Sequence, residues 1–340
     1  MKLQFKHQSF QREAARAVVD AFLGQPLQDA FAYRMDAGKG VLALETQGFR
    51  NQDLLLSDAQ LTKNIRTIQM RQDLQPVERV LRDAHGALAL SIEMETGTGK
   101  TYTYIKTMYE LYKHYGWTKF IIVVPSVAIR EGVIKSLETM ADHFAEEYGE
   151  RMQHFVYDSS RLTAIDQFAS DPKLHVMVIN TQAFNATDDK ARRISMQLES
   201  FGWQRPIEVL AASQPILIID EPQSVLGADK QNKTREGLKQ FNPLFYLLYS
   251  ATHRREDVYN QVYRLDAIDA FNKHLVKKIE VMGVEQVGTT ATNGYLHLEA
   301  IVLSKKKGEA PRARISFDAT SRVGLRTATR TVDKGFDLYA

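Results

Sequence analysis

The chain has no cysteine among its 340 residues. That absence excludes disulfides, cysteine-ligated zinc, iron–sulfur clusters and any thiol nucleophile. It also lacks an apolar signal segment after Met1, and no apolar run approaches the roughly 20 residues needed to span a bilayer. A soluble, cytoplasmic protein without a membrane partner is the expectation. Charge of one sign is missing as well: 44 basic residues face 41 acidic ones, a net charge of +3. Such a balance permits nucleic-acid binding and does not argue for it. There is no internal repeat and no low-complexity tract.

What is present is an apolar fraction of 44%, enough for an ordinary packed core. The length holds two domains, or one large domain with an appendage. Residues 8–23 place Phe10, Ala14, Ala17, Val18, Ala21 and Phe22 at helical spacing, and Gly24-Gln-Pro26 stops that helix. Residues 25–60 are irregular and polar, and Arg66–Arg82 reads as helical with a break or start at Pro76.

Glu95-Thr96-Gly97-Thr98-Gly99-Lys100-Thr101 is a glycine-rich loop between an apolar segment, Leu88–Ile92, and a helical one, Thr101–His114. A strand that turns through glycines into a helix aims several N–H groups at one spot, at the positive end of the helix dipole. Polyphosphate fits there, with Lys100 reaching the β- and γ-phosphates and the Thr101 hydroxyl ligating Mg2+. The strict form of the loop has glycine where this chain has Met94. Ala37-Gly38-Lys39-Gly40 also holds a Gly-Lys, but no apolar strand precedes it and no Ser or Thr comes after, so it reads as a plain loop.

Short β-rich runs come next at Phe120–Val124, Val176–Ile179, Ile216–Ile219 and Phe245–Tyr249, separated by amphipathic segments. Continuous apolar runs without alternation imply strands buried on both faces of a helix-covered parallel sheet. The fold class is therefore α/β with a doubly wound parallel sheet. In that class ligands bind at the carboxyl edge of the strands. The runs end there in the glycine loop, in Pro125-Ser126, in Asn180-Thr181-Gln182, in Asp220-Glu221 and in Ser250-Ala251-Thr252.

Hydrolysing a nucleotide needs a phosphate cradle, a metal site and a group that orients water. Thr96 to Thr101 supply the first. Asp220 would hold Mg2+ and Glu221 would polarise the attacking water, about 120 residues downstream of the loop. Ser250 and Thr252 would hydrogen-bond the Asp-Glu segment and relay nucleotide state. The histidines show no ligand spacing, and surface or capping roles are expected of His7, His114 and His253.

From about Leu275 the texture changes. Val276–Val281 and Tyr295–Leu303 alternate like strands of a half-buried antiparallel sheet, with Lys305-Lys306-Lys307 after them. Residues 301–340 hold nine Lys and Arg against four Asp and Glu. A small, basic, β-rich appendage over 271–340 is expected beside a main domain over 1–270.

Assembled, these motifs resemble the superfamily 2 helicase and translocase family, and more narrowly the restriction (Res) subunits of type III restriction–modification enzymes. The resemblance is carried by Ile92-Glu-Met-Glu-Thr-Gly-Thr-Gly-Lys-Thr101, Val123-Val-Pro-Ser-Val-Ala-Ile-Arg130 and Val178-Ile-Asn-Thr-Gln182. Ile219-Asp-Glu-Pro-Gln223 and Tyr249-Ser-Ala-Thr-His253 complete it, and the Asp-Glu-Pro-Gln form points to the type III group. The resemblance implies a RecA-like P-loop lobe that uses ATP and Mg2+. Gln11 would read adenine, with Gln8 competing for that role, and Gln223 would join the coupling of Ser250 and Thr252 to hydrolysis. Pro125, Ser126, Arg130, Thr181 and Gln182 would hold a nucleic-acid backbone through donors suited to phosphate oxygens. Double-stranded DNA and a modification methyltransferase subunit are the implied partners. A second lobe with an arginine finger, and a nuclease motif, have no match here, so an N-terminal fragment is expected. The alternative to an active motor lobe is a remnant that holds DNA or a partner and hydrolyses nothing.

Overall fold

Alternate residues of the apolar runs enter two separate buried layers. Leu90, Ile92, Ile122, Val124, Val178, Ile218 and Leu247 belong to one. Ala89, Ile121, Val123, Ile179, Ile219 and Leu248 belong to the other. A strand has side-chain period two, so a run that is apolar at every position must be covered on both faces. The computed structural model describes residues 5–27, 48–83, 86–185, 191–197, 205–227, 233–254, 257–276, 296–304, 309–321 and 324–336. The chain divides into two compact units, Met1–Lys278 and Ile279–Ala340.

The first unit is built on seven strands: β1 (Ala89–Met94), β2 (Lys119–Val124), β3 (Gln153–Val156), β4 (His175–Asn180), β5 (Ile216–Asp220), β6 (Tyr246–Ser250) and β7 (Tyr263–Leu265). They form one sheet in the order β3-β4-β2-β5-β6-β1-β7, and every ladder in it is parallel. Four helices supply the first layer: α1 (Ser9–Asp20), α2 (Asp58–Arg71), α3 (Lys100–Tyr115) and α4 (Val127–Tyr148). On the other face lie α5 (Thr163–Ser170), α7 (Pro206–Ala212) and α9 (Lys233–Lys239). The short helices α6 (Gln182–Asn185), α8 (Pro222–Val225) and α10 (Ala267–Asn272) come directly after strand ends. Leu90, Ile122, Ile218 and Leu247 are fully buried, each burial worth about 1.5–3 kcal/mol relative to exposure. The doubly wound α/β class read from the apolar runs is thus the observed one.

The helix expected over Arg66–Arg82 starts earlier and stops earlier, at Asp58–Arg71. Ser57 and Gln60 form a reciprocal capping box at its start, and Asp73 takes a left-handed φ of 52° just beyond its end. The other miss is of β3 and β7. Each is short, and β3 is only partly buried, so neither leaves a continuous apolar run.

The second unit contains β8 (Leu296–Val302), β9 (Arg312–Ser321) and β10 (Gly324–Val332), an antiparallel sheet in the order β10-β9-β8. The strand expected at Tyr295–Leu303 is β8, but its residues are largely exposed instead of half-buried. The Gly38-Lys39 loop, most of Val276–Val281 and Lys305–Lys307 lie outside the described residues.

At the amino edge of the large sheet sit two buried polar residues. Asn51 Oδ1 accepts from the N–H groups of Thr118 and Lys119, and its Nδ2 donates to the carbonyls of Lys119 and Gln214. Lys119 is wholly buried, and its Nζ donates to the Phe168 carbonyl at 2.6 Å and to the Asp171 carbonyl. Burial lowers its pKa from 10.5 to about 7, against the opposing pull of the Asp171 carboxylate. Between those values the unfolded chain carries a proton that the folded chain has released, so folding stability rises with pH across that window. Below it the penalty is fully present. Lys119→Met should remove this rise. Urea unfolding at about pH 7 and about pH 9 measures it, and an unchanged slope in the variant would overturn the assignment.

Candidate functional site

The glycine loop is the link between β1 and α3. Met94, which stands where the strict form of the loop has glycine, is the last residue of β1, with its side chain at 0% exposure in the core. Nothing at that point demands a glycine. Two positions further on do: Gly97 has φ +83° and Gly99, which caps α3, has φ +89°. A Cβ on Gly99 would also collide with Gln11 Nε2. Thr98 turns inward, with its N–H and hydroxyl both donating to the Glu95 carbonyl. Thr96 and Gly97 stay exposed. The first N–H groups of α3, including those of Lys100 and Thr101, have no acceptor within the helix and open onto the loop.

Gln11 reaches this loop from α1. Its Nε2 donates to the Thr98 carbonyl at 3.0 Å. Gln8 precedes the helix and lines a separate recess with His7, Arg12, Tyr102, Lys106 and Glu147.

Asp220 ends β5 and is 6% exposed. Burial and the adjacent Glu221 charge raise its carboxyl from 3.8 to about 6. Glu221 takes a left-handed φ of 55°, and its side chain meets the glycine loop at Lys100. Its Oε1 lies 2.8 Å from Lys100 Nζ, and its Oε2 accepts from Gln223 Nε2 at 2.5 Å. Burial pushes this carboxyl up, but the Lys100 ammonium and the Gln223 amide outweigh it, so its pKa falls below the usual range.

Ser250 closes the chain of contacts. Its Oγ donates towards Gln223 Oε1 at 2.8 Å and accepts from the Thr252 N–H at 3.1 Å. Thr252 thus enters through its backbone. β6, which carries Ser250, runs between β1 and β5, so the serine stands between the glycine loop and the Asp-Glu pair. Lys100, Glu221, Gln223 and Ser250 are brought together as one connected group. Chemically, the group offers a helix N-terminus for an anion, a cation already held at its edge, and two carboxylates in opposite electrostatic states.

Pro125, Ser126, Arg130, Thr181 and Gln182 are placed elsewhere on the same edge. β2 and β4 are neighbours with Val124 opposite Asn180, so Pro125-Ser126 and Thr181-Gln182 leave the sheet side by side. Ser126 caps α4, its Oγ accepting from the Ile129 N–H at 3.3 Å. The Thr181 N–H donates to the Val124 carbonyl, and the Arg130 guanidinium to Glu131 Oε1 at 2.8 Å. Arg130 and Gln182 line an open recess with Asp158, Arg161 and Asn180.

One residue here escaped the sequence reading. His253 is not a surface or capping group: its Nε2 donates to the Ile92 carbonyl of β1 at 3.2 Å, and its Nδ1 is buried without a partner among the described residues. Burial lowers its pKa, so the imidazole is neutral beside the loop. Its place directly after Thr252 was the available signal.

The family model described as "Type III restriction enzyme, res subunit" matches residues 5–255. The Res subunit of the type III enzyme EcoPI of Escherichia phage P1 is 35% identical over 248 residues, 67% of this chain and 25% of that protein. The EcoP15I Res subunit of Escherichia coli is 34% identical over the same shares. The StyLTI Res subunit of Salmonella typhimurium is 30% identical over 283 residues, 73% of this chain and 27% of that protein. The chain therefore spans about a quarter of the length of these relatives. Among solved structures, a Sulfolobus solfataricus SWI2/SNF2 ATPase core in complex with dsDNA aligns with a TM-score of 0.32 at 15% identity, covering 49% of this chain and 28% of that one.

The raised pKa of Asp220 carries a consequence for stability. A carboxyl that keeps its proton longer in the folded state contributes stability below its unfolded value of 3.8, and that contribution is lost as pH rises through about 6. At neutral pH the folded protein carries a buried charge there. Asp220→Asn should stabilise it there by on the order of 1–3 kcal/mol, with the gain shrinking towards about pH 4. Urea unfolding of both proteins at the two pH values checks this, and a gain independent of pH would refute it.

Proposed function

The chain belongs to the family of type III restriction enzyme Res subunits, and on that premise we propose that its first unit binds and hydrolyses ATP as the RecA-like motor lobe of a DNA translocase. The observation that carries this reading is the Lys100–Glu221 contact of 2.8 Å, bound through Gln223 to Ser250. It joins a phosphate cradle to a carboxylate pair and to the strand between them.

The residues fit a nucleotide and a divalent ion. The glycines leave the approach to the helix N-terminus free of Cβ atoms, and the buried Asp220 carboxyl is raised to about 6 because burial and the Glu221 charge outweigh the pull of Lys100. Thr96 to Thr101 would cradle the phosphates, Thr101 and Asp220 would hold Mg2+, and Gln11 would read the base beside Thr98. Mg2+ bound there would neutralise charge developing on the phosphate oxygens. Lys100 would leave Glu221 for the phosphates. Glu221, released, would orient a water and accept its proton. Gln223 and Ser250 would sense that release, because Gln223 holds the Glu221 carboxylate and Ser250 holds Gln223.

Pro125, Ser126, Arg130, Thr181 and Gln182 would contact the backbone of double-stranded DNA, giving grip without sequence readout. A modification methyltransferase subunit is the proposed protein partner, which leaves recognition of the DNA sequence outside this chain. Residues 271–340 are read as the start of a second lobe or an insertion within it. An arginine supplied by such a lobe is worth about 10³–10⁵ in rate at comparable sites, so hydrolysis by this chain alone should be slow.

Lys100→Ala should abolish ATP binding, read by calorimetry. Glu221→Gln should keep binding while turnover falls by about 10²-fold or more, read in a steady-state assay. Unchanged hydrolysis in either variant would reject the site. Duplex DNA should stimulate the parent above the Lys100→Ala background. Binding of DNA without any hydrolysis would favour the inactive binding remnant instead.

A further inference from the structure

Away from the glycine loop, the recess beside α1 gathers side chains to which the proposed function gives no role. His143 and Glu147 are one turn apart on α4, so both face the same side of that helix. His7, from the segment leading into α1, comes down onto them. One ligand atom from each of His7, His143 and Glu147 lies within 4.8 Å of the other two. We propose that His7, His143 and Glu147 form a binding site for a divalent first-row transition metal ion, with zinc the best match.

The chemistry of the donors selects the ion. Two imidazoles and one carboxylate suit zinc, whereas magnesium and calcium take oxygen ligands. The two oxygens of Glu147 are already divided between tasks. Oε1 accepts from Lys106 Nζ, while Oε2 faces His143 Nε2 at 3.8 Å and is the oxygen available to a metal. The Lys106 charge, which opposes a second cation, is shared with Glu110 at 3.9 Å and with the Tyr148 hydroxyl at 2.9 Å. Burial lowers the pKa of His143 more than the Glu147 charge raises it, which favours the neutral imidazole that a metal requires.

A tetrahedron on bonds of about 2.0–2.1 Å has edges of roughly 3.3 Å, so the ligands must close by about 1.5 Å. His7 is exposed and can swing inwards. His143 would exchange its 2.9 Å bond to the Tyr102 hydroxyl for the metal. Water would take the fourth position, as in sites with three protein ligands. The ion would pin the segment ahead of α1 to α4. Phe5 already rests there, its ring centroid 5.2 Å from that of His143.

The test is titration of the metal-free 340-residue chain with Co2+, followed by visible absorption, and then displacement by Zn2+, which binds such ligands more tightly. One saturable site per chain is expected, together with a higher unfolding temperature in Zn2+. His7→Ala, a change at an exposed side chain that leaves the fold intact, should weaken binding by about tenfold or more and remove the thermal shift. His143→Asn should do the same, and His114→Ala should change neither. Absence of saturable binding, or equal affinity in the parent and His7→Ala, would overturn the proposal.

Discussion

A sheet whose ladders are all parallel and whose faces are both covered obliges every strand of the first unit to end at the same edge. All else in the candidate site depends on that constraint. The glycine loop, Asp220-Glu221, Ser250 and the two segments after β2 and β4 share an edge because each stands at the carboxyl end of its strand. The apolar residues that hold the layers together do no chemistry themselves. They set the direction in which chemistry can be delivered.

Within that edge, one dipeptide is split into two electrostatic roles. Asp220 stays at the strand end, buried, with a raised pKa. Glu221 turns through a left-handed backbone and meets Lys100, with a lowered one. A non-glycine residue held at positive φ costs about 1–3 kcal/mol. The ion pair and the Gln223 hydrogen bond are the compensating contacts. Lys100 pairs directly with Glu221, while burial and the Glu221 charge outweigh its pull on Asp220.

Much of the fold is legible from residues alone. Runs such as Ile216–Ile219 are apolar at every position, which only a sheet covered on both faces satisfies, and the glycine loop and Asp-Glu pair announce themselves by local chemistry. The capping of α2 by Ser57 and Gln60 is also present in the sequence, but the apolar spacing around Ile65 and Ile68 is the louder signal and lies further along. β3 and β7 were invisible because they are short, and β3 is only partly buried beside β4. His253 looks like an unremarkable polar residue and lies buried against the Ile92 carbonyl.

The sequence by itself determined the class of fold, the glycine loop and the carboxylate pair, because each depends on residues within a few positions of one another. Only the tertiary structure decided the strand order that inserts β6 between β1 and β5. It alone placed Lys100 on Glu221 and brought His7 to His143 and Glu147. These meetings join residues more than a hundred positions apart in the chain, apart from the helical pair on α4. Local periodicity carries no record of them; they are set by which layers pack together and in what order the strands pair.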